Sequence, residues 1–378
     1  MPRHLALLIS LAALLAVAAP ASAQIPPIPP IFPPKPQPTP TPVPLPTPDR
    51  DWRAPGANDA NPLLGVKFFV DMVEQPAAKW YHRYKRGNQL GSAGLMYKIA
   101  SQPIFRWIGK TDRNPERNTR VFLQRAAERS PGAVPGITVL NHEGEKCGGG
   151  YTGGGRRKDG RYRRWMERFV RGLGNHHVIV AFEPDALGTI KCLRGSRRVS
   201  RLRNMRYGIR LLSKKPNVTT YIEAGASDWR PAGEMARYLR AAGVGRVRGF
   251  SLNTTHFDSS RNNLRYGMRL SRMLGGKHFV INTDENGRGR VHYRRYISRA
   301  ANLWRTVNVW CNPKRSGLGT RPAAVSHPKL DGYLWTSRPA ASAGSCRGWN
   351  PRFSMRGGPK AGTFWPERAL TLARQSNP

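Results

Sequence analysis

From about residue 59 onward the chain alternates two patterns, and this order constrains its fold more than any other feature. Short apolar runs rich in β-branched and aromatic residues occupy 66–70, 137–140, 177–182, 218–222, 249–252, 278–281 and 332–335. Longer stretches with helical spacing lie between most of them, at 162–173, 199–212, 232–242 and 291–306. A strand followed by a helix, repeated, pairs the strands in parallel and places the helices outside the sheet. Seven or eight such units over this length predict a single α/β barrel domain with a parallel sheet. A doubly wound open sheet is the alternative. No fixed-period repeat is present.

The remaining composition bounds the problem. The chain has 378 residues, and 39% are hydrophobic. That supports a real core and excludes a wholly disordered chain. The only long apolar run is at the N-terminus, which excludes a multi-span membrane protein. Residues 1–23 carry a short basic start, an apolar run over 5–19 and Ala21-Ser22-Ala23. This is the pattern of a secretory signal peptide cut after Ala23, and the run is short for a membrane anchor. Residues 24–58 form a Pro/Thr-rich linker, with proline at 13 of the 27 positions from 24 to 50. Proline removes donors and fixes an extended backbone, so this segment is a stiff spacer. The folded domain is expected over 59–378.

Export makes the four cysteines disulfide candidates, with three possible pairings. Local pairing, Cys147–Cys192 and Cys311–Cys346, closes the two shorter loops and is preferred. Each such loop is worth roughly 3–4 kcal/mol in the chain-entropy account. No Cys-x-x-Cys pair supports zinc, and no metal or cofactor is expected.

In a parallel barrel the chemistry sits just beyond the C-terminal strand ends. The residues there are Asn141-His142-Glu143, Glu183-Pro184-Asp185, Glu223-Ala224-Gly225 with Asp228-Trp229, Asn253-Thr254-Thr255-His256, Asn282-Thr283-Asp284-Glu285 and Thr336-Ser337-Arg338-Pro339. Even without Glu143, six of the 22 acids in this very basic chain, Glu183, Asp185, Glu223, Asp228, Asp284 and Glu285, fall at one rim. Carboxylates beside tryptophans suit sugar chemistry, because indole faces stack on pyranose faces and carboxyl groups move protons at the glycosidic oxygen. Taken singly, Asp185 also reads as a helix N-cap, and Trp229 and Trp310 also read as core.

Several ordered motifs carry a resemblance. They are Asn61-Pro62-Leu63-Leu64-Gly65 with Phe68-Phe69-Val70-Asp71; Ile99-Ala100-Ser101-Gln102-Pro103 with Trp107; Val180 through Leu187; Tyr221 to Trp229; Arg248 to Asn253; Trp310-Cys311-Asn312-Pro313; Gly317 to Pro322; and Ala361-Gly362-Thr363-Phe364. In this order they resemble glycoside hydrolase family 6, the cellobiohydrolases and endoglucanases, over about residues 59–378. The resemblance implies a distorted parallel α/β barrel of about seven strands and inverting hydrolysis of β-1,4-glucan or a related glycan. It implies Asp185 as proton donor, Glu183 as the supporting acid beside it, and Glu223 where the family has an aspartate. It places Thr152, Glu223, Trp229, Asn253 and Trp310 at the substrate, with Thr152 where a loop serine helps hold the attacking water. It implies the same two disulfides.

The chain departs from the family pattern at informative positions. Lys146 stands where an aspartate supports the acid, and Leu140 where a tyrosine presses on the distorted sugar. Ser337, Ala341 and Ala343 replace the Lys, Glu and candidate base Asp of the C-terminal motif, and Glu285 replaces an arginine. A relocated base is therefore expected at Glu143 or Glu145, with Asp284 a further candidate. A catalytically impaired relative that binds cell-wall or acidic polysaccharide is the alternative function. The net charge of +41 adds an expectation of electrostatic binding to anionic glycans or cell wall. No nucleic-acid motif accompanies it. An extracellular monomer is expected.

Overall fold

The computed structural model describes residues 60–142, 145–147, 150–152, 159–193, 195–298 and 302–376, with backbone only at 145–147, 150–152 and 298. The expected signal peptide and linker lie outside the described residues. In chain order the elements are α1 (Pro76–Arg86), α2 (Leu90–Ala100), β1 (Arg106–Gly109), α3 (Pro115–Arg129), β2 (Gly136–Leu140), β3 (Glu145–Cys147), β4 (Gly150–Thr152), α4 (Asp159–Leu173), β5 (Val178–Phe182), α5 (Ser196–Leu212) and β6 (Val218–Glu223). They continue with α6 (Ala232–Ala242), β7 (Gly249–Leu252), α7 (Ser260–Met273), β8 (His278–Asn282), β9 (His292–Ser298), β10 (Leu303–Asn308), β11 (Ala323–Ala324), β12 (Leu330–Leu334) and α8 (Pro366–Arg374).

The main sheet runs β1-β2-β5-β6-β7-β8-β12-β11. Its first seven members pair in parallel, and β11 lies antiparallel on β12. The seam between β1 and β12 is bridged at Ile104 and Trp335, where Phe105 N donates to Trp335 O at 3.0 Å. The result is the expected distorted barrel of seven parallel strands. β5 (VIVAF) is buried at every position, as a strand covered on both faces must be.

Two layers of apolar contact hold it. Outside, α4 turns Tyr162, Trp165, Met166, Phe169, Val170 and Leu173 onto the sheet, a stripe with the 3.6-residue period. Inside, Phe105, Ile179, Ala181, Tyr221, Val280 and Leu334 fill the barrel. Burying a large apolar side chain is worth roughly 1.5–3 kcal/mol. At the N-terminal end, Arg248 forks onto both Asp331 oxygens at 2.8 Å, and His278 Nδ1 and Tyr221 Oη also bond Asp331. This fully buried cluster plugs the barrel opposite the expected site. Gly249 is forced by packing: a Cβ there would stand 1.7 Å from the His278 carbonyl oxygen.

Three elements differ from the sequence reading. The helix expected over 291–306 is instead the antiparallel hairpin β9–β10. Its Tyr293, Tyr296, Ile297, Trp304, Thr306 and Val307 favour strands. The strand expected over 66–70 is reduced to a bridge between Phe68 and Val134. Just beyond it Asp71 Oδ1 accepts from Val73 N and Glu74 N and turns the chain into α1. β1 was not expected, being four residues with a mixed burial pattern.

Candidate active site

Beyond β5 the backbone enters the left-handed region at two non-glycine residues, Glu183 (φ 56°) and Asp185 (φ 68°). Such backbone costs about 1–3 kcal/mol per residue and persists only where the surroundings impose it. Here they do. The Glu183 carboxylate turns inward and is fully buried. Its Oε2 accepts from Asn141 N at 3.0 Å and His142 N at 2.9 Å, both just past β2. Its Oε1 accepts from Tyr162 Oη at 2.8 Å. Burial pushes Glu183 up to about 7, with Tyr162 and the two amides restraining the rise.

Asp185 faces the other way and is partly exposed. Its Oδ1 accepts from Thr255 Oγ1 at 2.5 Å, and its backbone N donates to Glu223 Oε2 at 3.0 Å. The Asp185 carbonyl accepts from both the backbone N and Oγ1 of Thr189. Burial raises the Asp185 carboxyl above its ordinary range, while Thr255, His256 and Arg201 pull it back. Behind it Glu223 is wholly buried, and its Oε1 accepts from Gly225 N. Burial, reinforced by the Asp185 charge, lifts Glu223 to about 8. Burial thus raises two neighbouring carboxyl groups, and the charge of Asp185 adds to the rise at Glu223, the kind of perturbation that acid–base sites use.

An aromatic row lies beside this pair. The Trp229 ring stacks on His256, centroids 4.5 Å apart. His256 meets Trp310 at 5.9 Å, and Trp310 meets Trp349 at 6.1 Å. Trp310 is 36% exposed, which leaves a face open to a ligand. Trp229 fits because Gly188 carries no Cβ; one there would stand 2.3 Å from the indole. His256 is fixed by Asp228, Nδ1 to Oδ1 at 3.0 Å. Burial acts to raise Asp228, but His256 and Arg290 hold it below the usual carboxylate range.

The structure brings Glu183, Asp185 and Glu223 together and links Trp229 to Trp310 through His256. Asn253 stands at the end of β7 with φ 69° but is fully buried. Its Nδ2 donates to the carbonyls of Asp258 and Asn282, so its visible work is to tie two rim loops together. Asp284 is buried, bonded by Asn282 Nδ2 at 2.6 Å, and raised to about 8 by burial and by Glu285. A carboxyl shut from solvent and still protonated at neutral pH is a poor proton acceptor. Glu285 pairs with Arg368, and its Oε1 accepts from Ala340 N at 2.6 Å. The segment bearing Ala341 and Ala343 is thus anchored but carries no carboxylate. β3 and β4 form a hairpin in which Glu145 and Thr152 are backbone partners. Glu143 and the side chains of Glu145, Lys146, Cys147 and Thr152 lie outside the described residues. Cys311–Cys346 is a disulfide, and Cys192 is also disulfide-bonded.

Sequence reasoning placed Thr255 and His256 at the rim beyond β7 by position alone, without giving them a role, and it missed Tyr162 and Trp349. Tyr162 and Trp349 leave no such signal, because they arrive from α4 and from a distant loop. Among the described residues no cluster of three or more His, Cys, Asp or Glu is placed to hold a metal ion.

A parallel barrel with a strained acidic strand end and an aromatic row beside it defines an O-glycosyl hydrolase scaffold. Comparison with known proteins gives the family. The model of glycosyl hydrolases family 6 matches residues 64–376, and the chain belongs to that family. It is 30% identical over 310 residues to endoglucanase A of Cellulomonas fimi, covering 82% of this chain and 61% of that protein. It is 26% identical over 327 residues to endoglucanase 1 of Streptomyces halstedii, covering 84% of this chain and 92% of that protein. Among solved structures, the endoglucanase Cel6 of Mycobacterium tuberculosis, bound to methyl-cellobiosyl-4-deoxy-4-thio-β-D-cellobioside, matches with a TM-score of 0.71 and 32% identity. That match covers 84% of this chain and 99% of the other.

Proposed function

We propose that this chain is exported by a signal peptide at 1–23, that residues 24–58 form a spacer, and that 59–378 cleave β-1,4-glucan or a related glycan. Asp185 is the general acid. Inverting hydrolysis needs that acid to hold a proton for the leaving oxygen while a second carboxylate, roughly 6.5–9.5 Å away, activates water. Glu143 or Glu145 takes that second role in this proposal, since no carboxylate remains at 341 or 343. Glu223 stays protonated behind Asp185, its proton held by burial and by the Asp185 charge. Glu183 fixes the loop after β2 against the acid. Trp229 and Trp310 give the sugar its stacking faces, and Thr152 and Asn253 complete the binding loops.

The observation that carries the reading is the placement of Asp185: partly exposed, raised by burial, bonded by Thr255 and backed by Glu223. A panel of soluble β-1,4-glucans followed by proton NMR tests it. Wild-type protein should release the α-anomer first, and Asp185→Asn should slow that release about 10²- to 10⁴-fold. Release of the β-anomer first would refute inversion.

The alanines at 341 and 343 favour a second reading, in which the groove binds wall or acidic polysaccharide without cutting it. Saturable binding with no product at any pH would select it. In either reading the working form is taken as a monomer that uses no cofactor.

A further inference from the structure

The segment that follows β12 holds a cation with no counter-charge among the described residues. Arg338 stacks its guanidinium on Trp107, 4.9 Å from the ring centroid. Its Nε is shut from solvent and has no acceptor. No hydrogen bond or ion pair from any described residue reaches the side chain of Arg338 or of its neighbour Arg106. Both line a cavity of about 100 Å³, closed by Trp107, Ala341, Gly362 and Phe364. The acids on its far wall are already taken: Asp71 by Arg125 and Arg129, and Glu74 by Lys79. Burial, with Arg106 adding to it, pulls the Arg338 guanidinium down to about 10, so it remains a cation in neutral solution.

Arg338 is only partly exposed. Leaving its shut Nε without an acceptor is costly, and the residue is held rigidly. Ser337 N donates to Asn282 Oδ1, Ala340 N to Glu285, and Ala341 N to the Arg338 carbonyl. Trp107 is fixed by its Nε1–H to Thr336 O at 3.0 Å. Gly362, at φ +84°, presents no side chain to the guanidinium; a Cβ there would stand 3.4 Å from Nη2. The same strand end reaches the acid: Thr336 Oγ1 meets Thr254 Oγ1 at 3.0 Å, and the next residue, Thr255, holds Asp185. A planar fork beside an apolar ring, with a second cation on the same small cavity, matches a carboxylate carried on a pyranose.

We propose that Arg338, with Arg106 and Trp107, forms an anion subsite that selects glycan chains bearing carboxylate groups. This rests on the glycan-cleaving reading above and gives it a substrate class. It also assigns to two named residues what the diffuse positive charge leaves unspecified.

Binding of C6-oxidised β-1,4-glucan and of neutral hydroxyethyl cellulose, measured by affinity electrophoresis at two salt concentrations, tests it. The comparison uses wild type, Arg338→Gln, Arg338→Lys and Arg265→Gln, the last removing an equal charge from the exposed face of α7. Arg338→Gln should weaken the oxidised glucan about 10- to 100-fold, the range of a lost charged hydrogen bond. Arg338→Lys should recover part of that, and neutral glucan should bind alike to all four. Should Arg338→Gln fail to fold, the exposed Arg106→Gln should show a smaller loss of the same kind. Equal weakening by Arg338→Gln and Arg265→Gln would overturn the subsite in favour of a diffuse field. Cellulose sulfate bound as tightly, with the same dependence on Arg338, would overturn the choice of carboxylate. Wild type that binds neither glucan would overturn the glycan reading itself, whereas intact glucan cleavage without the Arg338 effect would overturn the subsite alone.

Discussion

Thr255→Val removes one hydroxyl and keeps the branched shape, so it isolates the 2.5 Å bond to Asp185. That bond favours the ionised carboxylate, opposing the rise caused by burial. A hydrogen bond to a charged group is worth about 1.5–3 kcal/mol, which converts to about one to two pH units of acidity. Removing it raises the pKa of Asp185, so the acid keeps its proton to higher pH. The alkaline limb of kcat/KM on a soluble glucan should therefore move up by that amount, with the acidic limb in place. Thr255→Ser should return the limb to its wild-type position. An alkaline limb that stays put in Thr255→Val, with turnover retained, would refute either the role of Asp185 or the work assigned to this bond.

Stability should follow pH in a definite direction. The folded value of Glu223, about 8, lies above its ordinary 4.5, so its stabilisation is full below pH 4.5 and is lost as pH rises through 8. The fall is roughly 5 kcal/mol at most, and Glu183 adds a smaller fall through about 7. Urea unfolding across pH 4–9 measures this, and Glu223→Gln should flatten the curve. Asp331→Ala strands Arg248 and His278 in the barrel and should cost about 3–5 kcal/mol by the same method. Gly249→Ala drives a Cβ into the His278 carbonyl and should sit at the severe end of single substitutions, about 4 kcal/mol or more. Gly245→Ala, with open space around its Cβ, should be nearly neutral by thermal melt.

Much of the barrel was legible because β2, β5, β6, β7 and β8 are buried on both faces and read as continuous apolar runs. The helices α4 and α6 were legible from their amphipathic spacing, and α5 from the helical spacing of Met205, Gly208, Ile209 and Leu212. The β9–β10 hairpin was misread because its exposed Arg and Tyr residues at mixed intervals mimic a polar helix face when counted without their β-preference. The acids at 183, 185 and 223 could be found because strand ends mark the rim of a parallel barrel. What the sequence hid was how they differ: Glu183 and Glu223 are sealed, and Asp185 is turned outward by a left-handed residue. Chain position cannot reveal that division, nor the arrival of Tyr162 from α4. Arg338 was visible as a rim residue, but its lack of a partner depends on Asp71 and Glu74 being claimed by other cations.

The central claim is that Asp185 hands a proton to the departing sugar, and leaving-group dependence tests it most directly. An aryl cellobioside with a strongly acidic phenol needs no proton to depart, whereas a glucan does. Asp185→Asn should lose about 10²- to 10⁴-fold on the glucan and keep near wild-type release of the phenol. Equal losses on both substrates, or undiminished cleavage of the glucan, would contradict the assignment.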